Sequence, residues 1–359
     1  MYENQTYDTI LARMLTRVPN TVDKREGSLI FDALAPAAAE LAQAYAELDI
    51  NNNLIFADTA SEEYLTRRAA EFGINRKEAT KARRRGEFFD NTNAPLNIPI
   101  GSRYSIGGLN YTAIEQISTG VFALECETSG TAGNRQFGTL LPITYVNDLA
   151  RAELTDVLVP GEDEETDEAL RSRYYETVNE PAFGGNIADY KQKINAINGV
   201  GGTKVFPTWA GGGTVKCTII AADWEEPSPA LVEEVQTIID PEENQGEGLG
   251  QAPIGHAVTI SGVDVVTVNV ETTLTLAPGV TPGQVQSDVE AVIEAYLLEQ
   301  RKTWAAQTQI IVRTAQIDAR MLTVQGVEDV SGTMLNGVDA NLVLDEEEIP
   351  SLGTVVINE

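Results

Sequence analysis

The chain has 359 residues, 42% of them hydrophobic, enough to give roughly two to four domains a core each and to exclude a disordered protein. Lysine and arginine number 25 against 54 aspartates and glutamates, a net charge of −29, so the summed field repels phosphate backbones and anionic lipid. Neither nucleic acid nor a membrane is therefore an expected partner, and no run reaches the ~20 apolar residues of a membrane span.

The amino terminus has no basic region followed by an apolar one, so no secretory signal is expected. Tyr7, Ile10, Leu11, Met14, Leu15 and Val18 keep helical spacing until Pro19-Asn20. From Asp23 to Ile55 comes a long helical stretch in which Phe31, Leu34, Ala38, Leu41, Tyr45, Leu48 and Ile55 follow alternating steps of three and four, with Asn52 in the same register. That is a heptad seam, set among alanines that favour helix and let a second backbone come close. A single helix from Ser28 to Asn52 would be about 37 Å long. Pro36 leaves two readings open: a kink inside one helix, or the first turn of a second. The seam also has two readings, burial inside its own small bundle or burial against another chain. Because the neighbouring sequence offers little large apolar surface to cover it, the intermolecular reading is the one carried forward. Thr59-Ala60-Ser61-Glu62 has the form of a capping box before a short helix that Gly73 ends.

Lys77, Lys81, Arg83, Arg84 and Arg85 form a basic cluster, readable as a docking patch or, more simply, as a solvated junction between domains. From Gly86 the period falls to two. Phe88-Phe89, 96–100, 104–106, 111–117, 121–128, 140–146 and 152–158 are short β-forming runs separated by turn residues, which predicts a compact all-β domain, sandwich or barrel. The acidic run Glu162–Glu168 reads as a helix opening, since it lacks the central glycine of a calcium loop. Asn179-Glu180-Pro181-Ala182-Phe183-Gly184-Gly185-Asn186 is a rigid turn, followed by a helix, two strands, a helix and a strand. That order predicts a small α/β sandwich with a mostly antiparallel sheet, and Val263 to Ile357 predicts a second. Asn198-Gly199-Val200 and Gln325-Gly326-Val327 each end a helix and open a strand, a faint internal repeat. The expected fold is thus a multidomain α+β chain: a helical arm at 1–84, an all-β domain at 85–160, and α/β domains at 161–262 and 263–359.

Chemistry-bearing motifs are scarce. Gly246-Glu247-Gly248-Leu249-Gly250 precedes Pro253 and a strand, whereas a phosphate cradle must open a helix, so it reads as a loop. His256 is the single histidine, which excludes a multi-histidine metal site within one chain, and no Gly-x-Ser-x-Gly elbow accompanies it. Cys126 and Cys217 lie in apolar runs and read as buried free thiols, as suits a reducing cytoplasm. No catalytic residue, metal site or cofactor is expected. A cell-wall hydrolase working through a carboxylate pair and a tail adhesin stay open as alternative classes, although nothing singles out a pair and no long β repeats occur.

Three stretches resemble one family. Residues 23–37, from Asp23-Lys24-Arg25-Glu26-Gly27-Ser28 to Ala35-Pro36-Ala37, are similar to the amino-terminal signature of baseplate J-like proteins of contractile phage tails. Residues 179–186 with Tyr190 and Gly199-Val200 resemble that family's central motif, and Glu348-Ile349-Pro350 with Leu352-Gly353 its carboxy-terminal close. The resemblance implies a structural wedge subunit of a phage tail or tail-like bacteriocin. It would be assembled in the bacterial cytoplasm and lie outside the cell after lysis. Its amino-terminal helices would bundle with a second copy and with another wedge protein. Its carboxy-terminal domain would link wedges into a ring near hub, spike and sheath-proximal proteins. On that reading Phe31, Leu34, Ala38, Leu41, Tyr45, Leu48 and Ile55 form the partner interface, and Pro181, Gly184, Gly185 and Asn186 a turn between domains.

Overall fold

A computed structural model describes residues 2–180 and 182–358. The architecture is mixed α+β, with helices at the amino terminus and a nearly closed β-sheet. The chain forms two compact units: Met1–Glu78 with Glu165–Glu180, and Ala79–Glu164 with Pro181–Glu359.

In the first unit, α1 (Tyr7–Arg17) starts after Thr6, whose hydroxyl accepts from the Thr9 amide at 3.3 Å. α2 (Leu29–Ile55) starts at Ser28, whose hydroxyl accepts from the Phe31 amide, and it runs through Pro36 as one 27-residue helix. α3 (Glu62–Ala70) does not form the expected capping box. Glu62 sits at φ 49°, outside helical geometry, and its amide donates instead to the Asp167 carboxylate at 2.7 Å. Asp167 opens α4 (Asp167–Asn179), which follows the β-strands in sequence yet completes the helical unit. Leu170 and Tyr174 of α4 share a core with Ala57, Ala60, Leu65, Ala69 and Ile74. The Arg171 guanidinium donates to the Ala57 and Ala60 carbonyls at 2.8 and 2.7 Å, so α4 also satisfies backbone groups left free after α2.

The second unit begins with seven antiparallel strands: β1 (Lys81–Phe89), β2 (Arg103–Ile106), β3 (Leu109–Ser118), β4 (Val121–Ser129), β5 (Gly138–Thr139), β6 (Leu141–Pro142) and β7 (Arg151–Val159). Their order is β5-β7-β1-β4-β3-β2-β6. The two edges, β5 and β6, are separated in sequence by Leu140 alone, so the sheet must curl until its edges nearly meet. Inside it lie Phe88, Tyr104, Tyr111, Phe122, Leu124 and Leu154. Two runs differ from expectation: 96–100 is loop, and 140–146 yields only β6.

Next come α5 (Ile187–Ile194), β8 (Val200–Pro207), β9 (Thr214–Ala221), α6 (Pro229–Ile239) and β10 (Ala257–Gly262). The sheet order is β10-β9-β8, with β9 antiparallel to β8 and parallel to β10 through the α6 crossover. The sheet is therefore mixed, where a mostly antiparallel one was expected. Then follow β11 (Asp264–Leu276), α7 (Pro282–Thr303), β12 (Ile311–Val312), α8 (Thr314–Met321), β13 (Val327–Leu335), β14 (Leu342–Val343) and β15 (Glu348–Asn358). β11 is central, antiparallel to β13 and parallel to β15, and α7 and α8 contribute Val289, Ile293, Leu297, Ile317 and Met321 to the core beneath. Lys204 of β8 ties these parts together. Its buried ammonium donates to the Thr308 and Glu346 carbonyls at 3.1 and 2.7 Å and lies 4.7 Å over the Trp304 ring.

Candidate assembly surfaces

α2 carries the seam, and α1 returns antiparallel along one flank of it. The Tyr2 ring packs tilted against Tyr45 at 5.4 Å and the Tyr2 amide donates to Asp49, while Ile10, Leu11, Met14 and Leu15 close over Phe31, Leu34, Ala38 and Tyr45. Ala38 is fully buried because its methyl group lets α1 come close; Phe31, Leu34 and Tyr45 are half-buried. The absence of nearby apolar cover, expected from the sequence, is thus corrected for this flank. Leu41, Leu48 and Ile55 are 40%, 50% and 60% exposed. At 100° per residue Leu41 and Leu48 lie about 60° and about 80° around the helix from Ala38, beyond the reach of α1. The seam accordingly splits into a covered stripe and an open one.

The turn before α5 supports its shape through two glycines in the left-handed region, Gly184 at φ 52° and Gly185 at 87°. A Cβ on Gly185 would stand 2.6 Å from Pro253 Cγ and 3.0 Å from His256 Cε1, so this position requires glycine twice over. Asn186 caps α5, its carboxamide accepting from the Asp189 amide at 2.8 Å. The Gly185 amide donates to Asp189, which also takes the Lys193 ammonium at 2.8 Å. Pro181 lies outside the described residues. Tyr190 is buried, its hydroxyl 2.7 Å from His256 Nδ1, and burial raises its pKa. His256 is half-buried.

The carboxy-terminal motif also has a local cause. A bulge between Val268 and Val270 leaves Asn269 without regular pairing, and its carboxamide accepts from the Thr354 amide at 2.9 Å. A Cβ at Gly353 would lie 2.2 Å from that oxygen, and Pro350 is tolerated because β15 is an edge strand.

One member of the basic cluster, Arg84, is fully buried, which neither the docking nor the solvated reading expected. Residues 81–85 open β1, and Arg84 points inward with Ala82, Gly86 and Phe88. Its guanidinium donates to the Gly133, Asn134, Gln136, Thr155 and Asp156 carbonyls at 2.6 to 3.2 Å, and lies 4.4 Å over the Phe137 ring. Burial lowers its pKa from the ordinary arginine value. On the outer face Lys81 pairs with Glu125, Arg83 with Glu234, and Arg85 with Glu87 and Asp156. The parity shared by Ala82, Arg84, Gly86 and Phe88 was the sequence signal for this strand.

Glu165 was read only as part of a helix opening. Its carboxylate accepts from Arg173 Nε and Nη2 at 2.8 and 2.7 Å and from the Lys77 amide at 3.0 Å. Burial acts to raise its pKa, but Arg173 and the Lys77 amide outweigh that and hold it below the ordinary value. Both cysteines are buried free thiols, and burial pushes Cys217 up to about 12. Among the described residues no group of three or more His, Cys, Asp or Glu could hold a metal ion, and no helix is long and apolar enough to cross a membrane.

Residues 182–262 match the family model described as Baseplate J-like central domain, and residues 268–358 match the Baseplate J-like protein C-terminal domain. The chain is similar to the phage-like element PBSX protein XkdT of Bacillus subtilis, 41% identical over 363 residues, covering 100% of this chain and 99% of the relative. It is 32% identical over 288 residues to baseplate protein gp47 of Escherichia phage Mu, covering 75% of this chain and 78% of that protein. Among solved structures, a chain of the anti-feeding prophage baseplate aligns with a TM-score of 0.41 at 11% identity, covering 97% of this chain and 90% of that one.

Proposed function

The chain belongs to the baseplate J-like family and is a structural component of a phage-type baseplate, and from that premise we propose that it is a wedge subunit of a contractile particle. Its α2 helix bundles with a second copy and with another wedge protein, and its carboxy-terminal domain links wedges into a ring around the hub. The observation that carries this reading is the open stripe of Leu41, Leu48 and Ile55 beside the stripe that α1 covers. A seven-residue apolar spacing is the pattern a second helix buries. The ring-linking part draws support from β13 and β15, edge strands of 9 and 11 residues that offer backbone groups for pairing. The subunit works by position and not by catalysis, and it is assembled in the bacterial cytoplasm before release.

Co-expression with candidate wedge proteins tests the bundle. Tyr45 is a poor probe, since it packs with Tyr2 within the chain, so the substitutions belong at Leu41 and Leu48. Each buried leucine is worth about 1.5–3 kcal/mol, so Leu41→Asp with Leu48→Asp should weaken the complex at least about a hundredfold. The melting temperature of the chain itself should stay unchanged. Undiminished co-purification of the double variant would sink the bundle.

A further inference from the structure

Three loops meet at one end of the central three-stranded sheet: the turn 182–186 before α5, the β8–β9 hairpin tip at 208–213, and the segment 240–256 between α6 and β10. The Ala257 amide donates to the Gly213 carbonyl and the Gly255 amide to the Gly246 carbonyl, each at 2.8 Å. The first loop abuts the third where Gly185 meets Pro253. This end exposes Phe183, Trp209, Leu249 and Ile254, at 84%, 49%, 68% and 82%. Large apolar side chains gathered in water at one end mark an interaction surface.

The longest of the three loops is held in place. Asp240, fully buried, accepts from the Gly246 amide at 3.0 Å and the Val258 amide at 2.8 Å. Gln236, also buried, donates to the Asp240 and Val258 carbonyls and accepts from the Ile260 amide. Leu249 and Ile254 are therefore presented on a built frame, which reduces the ordering that binding must impose. The same loop carries Glu242, Glu243 and Glu247, all exposed. Two lysines near this end are engaged already, Lys193 with Asp189 and the Gln251 carbonyl, and Lys216 with Glu347.

We propose that this end of the central domain docks a different protein of the particle, one whose face offers an apolar hollow rimmed by lysine and arginine. A second copy of this chain would bring the same acidic rim and the same net charge of −29, which disfavours it electrostatically. The inference rests on the chain being an assembly subunit, and it concerns a surface in the second unit, where α2 belongs to the first.

The test places photoreactive p-benzoylphenylalanine at Phe183 and, separately, at Ile254 of the full chain and irradiates assembled particles. The expected product joins this chain to another tail protein at an apolar segment flanked by basic residues. Its yield should fall about tenfold or more when Glu242→Lys, Glu243→Lys and Glu247→Lys are combined. Cross-links between two copies of this chain, cross-links indifferent to the charge reversal, or none in particles that contain the chain would each overturn the proposal. A probe at Leu41 in the same particles reports on α2 separately, so the failure of one contact is not mistaken for failure of the other.

Discussion

At the scale of single residues the most consequential group is Arg84. A guanidinium has five N–H donors and no acceptor, and here every bond it makes goes to a backbone carbonyl. Those carbonyls belong to 133–136 and to β7, so one side chain anchors the segment leading to β5 and the strand β5 pairs with. Removing it leaves the carbonyls buried without donors. Arg84→Met should lower the unfolding free energy by about 3–5 kcal/mol, read from the urea midpoint. A loss within experimental error would mean that water replaces the guanidinium freely. The sequence concealed this residue because composition groups it with Lys81, Arg83 and Arg85, which do face solvent and pair with acids. Only strand parity separates them.

At the scale of elements, α2 and the turn before α5 show how local chemistry is overruled or obeyed. Pro36 was compatible with a break, yet the helix continues, since packing of Ile10 and Leu11 against Ala38 rewards continuity just past the proline. The capping box at α3 was legible and absent, because Asp167, more than a hundred residues later, reaches the amide first. The sequence pointed to the glycines before α5, but the close approach at Gly185 comes from elsewhere in the chain, from Pro253 and His256. Gly185→Ala combines a left-handed φ with a 2.6 Å approach to Pro253 and should cost about 1–3 kcal/mol, visible as a lower melting temperature. Gly184→Ala meets nothing within 4 Å and should cost only about 1 kcal/mol from its backbone alone. Equal losses at both positions would refute the steric account.

At the scale of the whole molecule, the helical unit is assembled from both sides of the β-domain in sequence. Glu165 sits where those segments join, bound to Arg173 of α4 and to the Lys77 amide. Its folded pKa lies below the ordinary carboxylate value, so its stabilising effect is fully present above that value and is lost as pH falls through the folded one. Wild type should therefore melt higher than Glu165→Gln at neutral pH, and the gap should start to shrink below the ordinary carboxylate value and vanish in stronger acid. A gap that persists in acid would show that the carboxylate charge is not what joins the segments.

The sequence by itself determined most of the element types, the location of the seam, the glycines of the turn and the membership of a family, because periodicity and φ-restricted residues are local properties. What only the tertiary structure decided was which face each element spends on its own fold. α1 covers Phe31, Leu34, Ala38 and Tyr45 but not Leu41, Leu48 or Ile55. Arg84 turns inward among its basic neighbours, and α4 joins helices that precede it by many residues. The physical reason is common to all three: burial depends on contacts between segments distant in sequence, and no local pattern records which of several available surfaces will be covered.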